Sequence, residues 1–206
     1  MKKKLAAIFA VIGWFAVIAQ YVLMIENRQV NILETTIRFI SFFTILTNAL
    51  VAIYFTCLVF DKNRETKLIT RPGTLTAITV YITLVGLVYQ FVLRHSWHPT
   101  GLQMVVDELL HSVVPVLVIV FWFLYETTKP VKYSQILQWT IYPLIYLIYI
   151  LVRGSFSNFY PYPFIDVTMI GISRTLKNAG LLIIIFIMIS AFFLFLGKAI
   201  IKRRKV

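Results

Sequence analysis

Ser41, Thr44, Thr47 and Asn48 fall inside one long apolar run of this chain, and Asp107, Glu108 and His111 fall near the head of another. A hydroxyl becomes a nucleophile when a base lies within hydrogen-bond reach. His111 is the only imidazole inside such a run. Asp107, four residues earlier, can share a helical face with His111 and could orient its ring or hold it as a cation. Positions 41, 44 and 48 share one face if their segment is a continuous helix. Asn48 could then donate to a developing oxyanion. These residue types suggest attack of a hydroxyl on an acyl carbon, with His111 as general base and then general acid. They also fit a quieter role. Ser and Thr can bond the carbonyl one turn back, and Asn48 can tie two helices together. Asp107 and Glu108 can sit among headgroups at a helix start, and His111 can make a structural hydrogen bond.

The elements that must position these residues are membrane spans. Hydrophobic residues make up 60% of the chain and charged residues 14%, against ~45–50% and ~25% in soluble domains. Apolar segments run approximately over 5–25, 39–60, 75–93, 104–125, 136–152 and 179–196. A helix needs roughly 20 apolar residues to cross the hydrocarbon core, with ~17 as the lower bound. The fifth segment sits near that bound. The expectation is an all-alpha integral membrane protein: a single six-transmembrane-helix bundle over 1–206, with no separate soluble domain. The first segment has the basic start of a signal peptide, but its apolar run is too long for one, so it is read as a retained first helix.

Basic residues orient the bundle. Lys2, Lys3, Lys4, Lys62, Arg64, Lys67, Arg71, Lys129, Lys132, Lys198, Lys202, Arg203, Arg204 and Lys205 fall on one side of six spans, which is 14 of the 20. The positive-inside rule then places both termini in the cytoplasm of a multi-pass cell-membrane protein. The net charge of +12 comes from these short juxtamembrane clusters. They suit anionic headgroups, so membrane lipids are the expected partners and nucleic acid is not.

Depth matching brings the second and fourth segments together, since both begin on the outer side. If they start near Phe39 and Met104, Thr44 and His111 both lie roughly 8–10 Å in, at ~1.5 Å per residue. Asn31-Ile32-Leu33-Glu34 resembles a capping box, so the second helix could begin earlier and bring Ser41 into register. In the fifth segment Tyr142, Tyr146 and Tyr149 form a stripe beside Pro143. The loop after it, Arg153 to about Lys177, carries Tyr160-Pro161-Tyr162-Pro163-Phe164, stiff and aromatic. It reads as an interfacial belt, and as a cap over the outer mouth between helices two and four. Tyr160, Tyr162, Phe164, Tyr142 and Tyr146 are therefore the expected substrate-lining residues.

Other chemistries find little purchase. His95 and His98 lie in a turn ended by Pro99, Cys57 is single, and there is no CxxC or HExxH. No glycine-rich phosphate loop is present. No metal and no cofactor are expected. The two halves lack the matching motifs of an inverted-repeat transporter.

The run Phe39-Ile-Ser-Phe-Phe-Thr-Ile-Leu-Thr-Asn-Ala-Leu50, then Leu110-His-Ser-Val-Val-Pro115, then Tyr160-Pro-Tyr-Pro-Phe-Ile-Asp166 resemble a prokaryotic six-span family, Pr6Pr. The resemblance covers nearly all of the chain. That family is similar to the eukaryotic androgen-induced and androgen-dependent membrane proteins of the FAR-17a/AIG1 class. These are threonine hydrolases of fatty acid esters of hydroxy fatty acids. The resemblance implies a fatty-acyl ester as substrate, a hydroxyl from helix two and a histidine from helix four. The histidine corresponds to His111. The threonine most nearly corresponds to Ser41, a serine substitution that keeps the nucleophilic oxygen, with Thr44 one turn deeper as its rival. The competing expectation is a non-enzymatic lipid-binding, transport or structural bundle with a hydrogen-bonded polar core.

Overall fold

The computed structural model describes residues 1–61, 71–126 and 131–203. Lys62, Arg64, Lys67, Lys129, Arg204 and Lys205 lie outside the described residues. Among those described there is no strand, and six helices are long and apolar enough to cross a membrane. They are Lys2–Glu26, Phe43–Phe60, Thr74–Leu93, Gly101–Tyr125, Gln135–Ser157 and Val167–Ile200. The chain is an all-alpha bundle of six membrane-spanning helices.

Small residues set the tightest seam. Ala6, Ala10, Gly13 and Val17 recur on one face of the first span and are buried. A side-chain carbon at Gly13 would come within 3.2 Å of the Ala52 Cβ on the second span. Within lipid, helices associate through such close packing because the hydrophobic effect no longer distinguishes neighbour from solvent. Trp14 Nε1 adds a hydrogen bond to Thr56 Oγ1 at 3.0 Å. The third span lies at the centre of the bundle, with 67% of its most apolar stretch buried, and packs on the second, fourth and sixth. The fifth is the most peripheral, at 17%. It begins one residue before the expected segment and runs on to Ser157, so it is no marginal span.

The start of the first span and the end of the sixth lie at one end of the bundle. Lys3 Nζ donates to the Asp61 carbonyl at the end of the second span, and Lys198 Nζ sits 3.8 Å from the centre of the Tyr133 ring at the start of the fifth. The opposite end carries the site.

Two departures from the sequence reading matter there. Asn31 does cap a helix, accepting from the Glu34 N–H at 2.9 Å, but that helix stops at Ile40. Ser41 and Phe42 turn the chain, Phe42 adopting an extended ψ of 123° before a new helix starts at Phe43. The Ser41 hydroxyl contributes by donating to the Ile37 carbonyl at 2.6 Å, one turn back. Ser41 therefore does not share a continuous helical face with Thr44 and Asn48. The loop before the sixth span is also short. A 3-10 turn at Pro163–Ile165 leads into a helix from Val167, interrupted at Gly171, whose φ of 76° favours glycine.

Candidate functional site

The site begins with an unusual turn in the fourth span. Leu109–Val113 is π-helical, and the Val114 N–H bonds the Leu109 carbonyl, five residues back. Val114 would ordinarily serve Leu110. The next candidate donor is residue 115, a proline without an N–H. The Leu110 carbonyl is thus left without a backbone donor in the interior, where an unpaired acceptor costs free energy. Asn48 Nδ2 fills the gap at 3.2 Å and also donates to the Thr44 carbonyl at 2.9 Å. Asn48 is fully buried, and both its donor hydrogens are accounted for.

His111 lies within that π turn. Its Nδ1 is 2.9 Å from the Asp107 backbone carbonyl and 3.4 Å from Asp107 Oδ1. Its Nε2 is 3.3 Å from Thr44 Oγ1. Tyr89, which opens a second π turn on the third span, stacks on the imidazole at 4.2 Å and 15°. The third span comes this close because Gly86 faces the fourth: a side-chain carbon there would lie 3.2 Å from the His111 carbonyl oxygen. π turns concentrate at functional sites, and here two of them meet across one ring pair.

The proton directions follow from groups of fixed polarity. The Asp107 carbonyl can only accept, so Nδ1 carries the hydrogen. With a neutral imidazole, Nε2 is then a lone pair and Thr44 must donate to it. This is the orientation of a hydroxyl facing a general base. The distance is long for such a bond, as is common before substrate arrives.

Thr44 occupies the first turn of its helix, where N–H groups have no intrahelical acceptor. Its N–H donates to the Tyr162 hydroxyl at 3.2 Å, and the two side-chain oxygens are 3.3 Å apart. Tyr162 reaches in from the aromatic loop, stacked on Phe164 and edge-on to Phe42. Burial pushes its phenol above the ordinary tyrosine pKa, so it stays protonated.

A pocket of about 100 Å³ opens beside Thr44. It is lined by the second, third, fifth and sixth spans and by the loop before the sixth, from Tyr162 and Phe164 to Pro143 and Phe186. Pro143 lies 14 residues before the Ser157 end of its helix, roughly 20 Å at the helical rise. Among the described residues, Thr44, Tyr146 and Tyr162 are the only lining residues with polar side chains.

The other expected site residues fall around this centre. The tyrosine stripe on the fifth span reaches the break in helix two. Tyr146 donates to the Ser41 carbonyl at 2.9 Å, Tyr149 lies 3.2 Å from Ser41 Oγ, and Tyr142 lies 3.2 Å from Thr47 Oγ1. Tyr160 is seated on Gly154, where any side-chain carbon would strike its ring. Asp107 is buried, and its Oδ2 has no hydrogen-bond partner. His95 and His98 are exposed. Among the described residues no group of three or more His, Cys, Asp or Glu could hold a metal.

A clasp borders the site. Arg94 donates to Gln90 and Glu108, Gln90 donates to Ser112, and Ser112 donates to Glu108. This ring joins the two π-turn helices beside His111. Sequence reasoning missed the clasp, the Tyr89 stack and the hydrogen-bonding role of Tyr162. One signal was available for the π turn: Pro115 stands four residues after His111, where it removes an expected donor.

The architecture is a membrane-embedded bundle with a hydrogen-bonded polar core next to an apolar pocket. No family model, curated protein or solved structure matches this chain.

Proposed function

We propose that this protein is a multi-pass membrane protein, both termini cytoplasmic, that binds the hydrocarbon chain of a membrane lipid. The chain occupies the deep pocket, and the lipid's polar end meets Thr44, Tyr146 and Tyr162. The observation that carries this reading is the placement, among the described residues, of the only polar side chains of a long apolar pocket around Thr44. The positive-inside rule supports the orientation.

The physical setting says which end of the lipid decides selectivity. A methylene buried from water contributes about 0.8 kcal/mol, but a chain already in the bilayer leaves an equally apolar medium. The pocket therefore accepts chains with little preference. Discrimination falls to hydrogen bonds at the polar end, each about 0.5–1.5 kcal/mol.

Photocrosslinking of the reconstituted protein with a diazirine-bearing fatty acyl probe tests the reading. Label is expected on Leu182, Ile183 and Phe186, reduced by excess unlabelled lipid and by Ala179→Trp, which fills the pocket. Labelling spread evenly over the lipid-facing surface and unaffected by Ala179→Trp would refute it.

A second reading rests on one further observation, the Thr44 hydroxyl aimed at His111 Nε2. In it the protein hydrolyses a long-chain ester. Thr44 Oγ1 attacks the acyl carbon as His111 takes the hydroxyl proton. The alcohol then leaves with that proton, forming an acyl-threonine that water cleaves with His111 again as base. Thr44 is preferred to Ser41 because the Ser41 hydroxyl donates to Ile37 and has no contact with the imidazole among its hydrogen bonds. The likeness of the three motif runs to the prokaryotic six-span family belongs to this reading.

A further inference from the structure

We propose that Tyr162, delivered by the outer aromatic loop, is a positioning residue that directs the Thr44 hydroxyl proton onto His111. The inference rests on the second reading, in which Thr44 and His111 act together beside the lipid pocket.

The argument is one of hydrogen counting. With a neutral imidazole, Asp107 O accepts from His111 Nδ1–H at 2.9 Å, which leaves Nε2 as acceptor for Thr44 at 3.3 Å. Thr44 has one hydroxyl hydrogen, and it is then committed. The contact of 3.3 Å between Thr44 Oγ1 and Tyr162 must accordingly be a donation by the phenol. The phenol oxygen in turn accepts from the Thr44 N–H at 3.2 Å. Every hydrogen has one direction, and a backbone group of fixed polarity stands at each end of the chain. Remove the phenol hydrogen and this constraint disappears. The Thr44 hydroxyl, in the first turn of its helix, is then no longer held to the single direction that points at His111.

The loop is built to hold the phenol there. Pro161 and Pro163 flank Tyr162, Phe164 stacks on it at 5.2 Å, and Phe42 meets it edge-on at 5.8 Å. Tyr162 is 8% exposed although it belongs to a connection between spans.

The test reads the imidazole directly. The chain has three histidines, so ¹⁵N-histidine labelling of the full-length protein in nanodiscs gives few resonances, and His111→Gln assigns the relevant one. At a pH where His111 is neutral by its own titration, the wild type should show the Nδ1-protonated tautomer with a hydrogen-bonded Nε2. Tyr162→Phe should shift Nε2 toward the value of an unbonded ring nitrogen. Thr44→Val should produce the same shift, and the double variant no more than either. Tyr160→Phe should leave it unchanged. If Tyr162→Phe fails to fold, 3-fluorotyrosine at 162 preserves the shape and strengthens the donor, and Nε2 should move toward stronger bonding. An unchanged Nε2 in folded Tyr162→Phe or in the fluorotyrosine protein would overturn the proposal. So would a wild-type ring protonated at Nε2, or an equal shift from Tyr160→Phe. Absence of ester turnover or of probe labelling would leave this resonance untouched, and would count only against the functional readings.

Discussion

Asn48 Nδ2 stands 3.2 Å from the carbonyl oxygen of Leu110, linking the second span to a carbonyl that the π turn and Pro115 together leave without a backbone donor. A side chain on one helix thus repairs a defect in another, and the defect is what presents His111. Asn48→Leu removes the repair and leaves the Leu110 carbonyl unpaired in the interior. The expected cost is about 1–3 kcal/mol, read as a lowered thermal unfolding midpoint in detergent. Thr47→Val, which loses only the contact with Tyr142, should cost less. Equal stability of Asn48→Leu and wild type would show that the carbonyl finds another donor.

Turnover, if the ester-hydrolase reading holds, should depend on Thr44 and His111 and not on Ser41. Removing a positioned general base costs about 10²–10⁴-fold, so His111→Ala and Thr44→Ala should each lose at least that on long-chain ester substrates. Ser41→Ala should stay within a few-fold of wild type. Folding of each variant is checked by circular dichroism. Full activity in His111→Ala, or no turnover by the wild type across varied acyl esters, removes the reading.

Acid should loosen the rim at the site end of the bundle. Glu34 Oε1 accepts from Arg38 Nε and Arg153 Nη2, both at 2.8 Å, and both guanidinium groups lie over the Phe159 ring. The Arg38 hydrogen bond leads in holding the Glu34 carboxyl below its ordinary value of about 4.3, with Arg153 adding to it. A depressed folded-state pKa contributes stability that is present above the unfolded value and lost as pH falls through the folded one. Glu34→Gln should therefore be less stable than wild type at neutral pH. The difference should close at pH values below the folded pKa. A gap between the two proteins that does not change with pH would show that the carboxylate charge is not what holds the rim.

Orientation can be settled by labelling. In a Cys57→Ser background, single cysteines at Gln29, Thr100 and Ser157 should react with an impermeant maleimide from outside intact cells. A cysteine at Tyr133 should react only after permeabilisation. The reverse pattern would put the termini outside.

Span existence was legible in the sequence because hydrophobicity and length are local properties, and a run of about 20 apolar residues has few other destinations. The Asn31 cap was legible for the same reason, since it acts over three residues. His111 could be singled out because an imidazole inside an apolar run demands a partner. Which partner it took was decided only in three dimensions. Ser41 and Thr44 differ by three positions, and their ranking turned on a chain break at Phe42 that no periodicity announced. The contact at Gly13 fixes how the second span packs on the first, and the contact at Gly86 fixes how close the third comes to the fourth. Tyr162 was expected as a lining residue of an aromatic cap, but its bonds to Thr44 join groups 118 residues apart in the chain. A hydrogen bond needs two groups within about 3 Å. The rotation and depth of separate helices that achieve this are properties of their packing, not of any one segment.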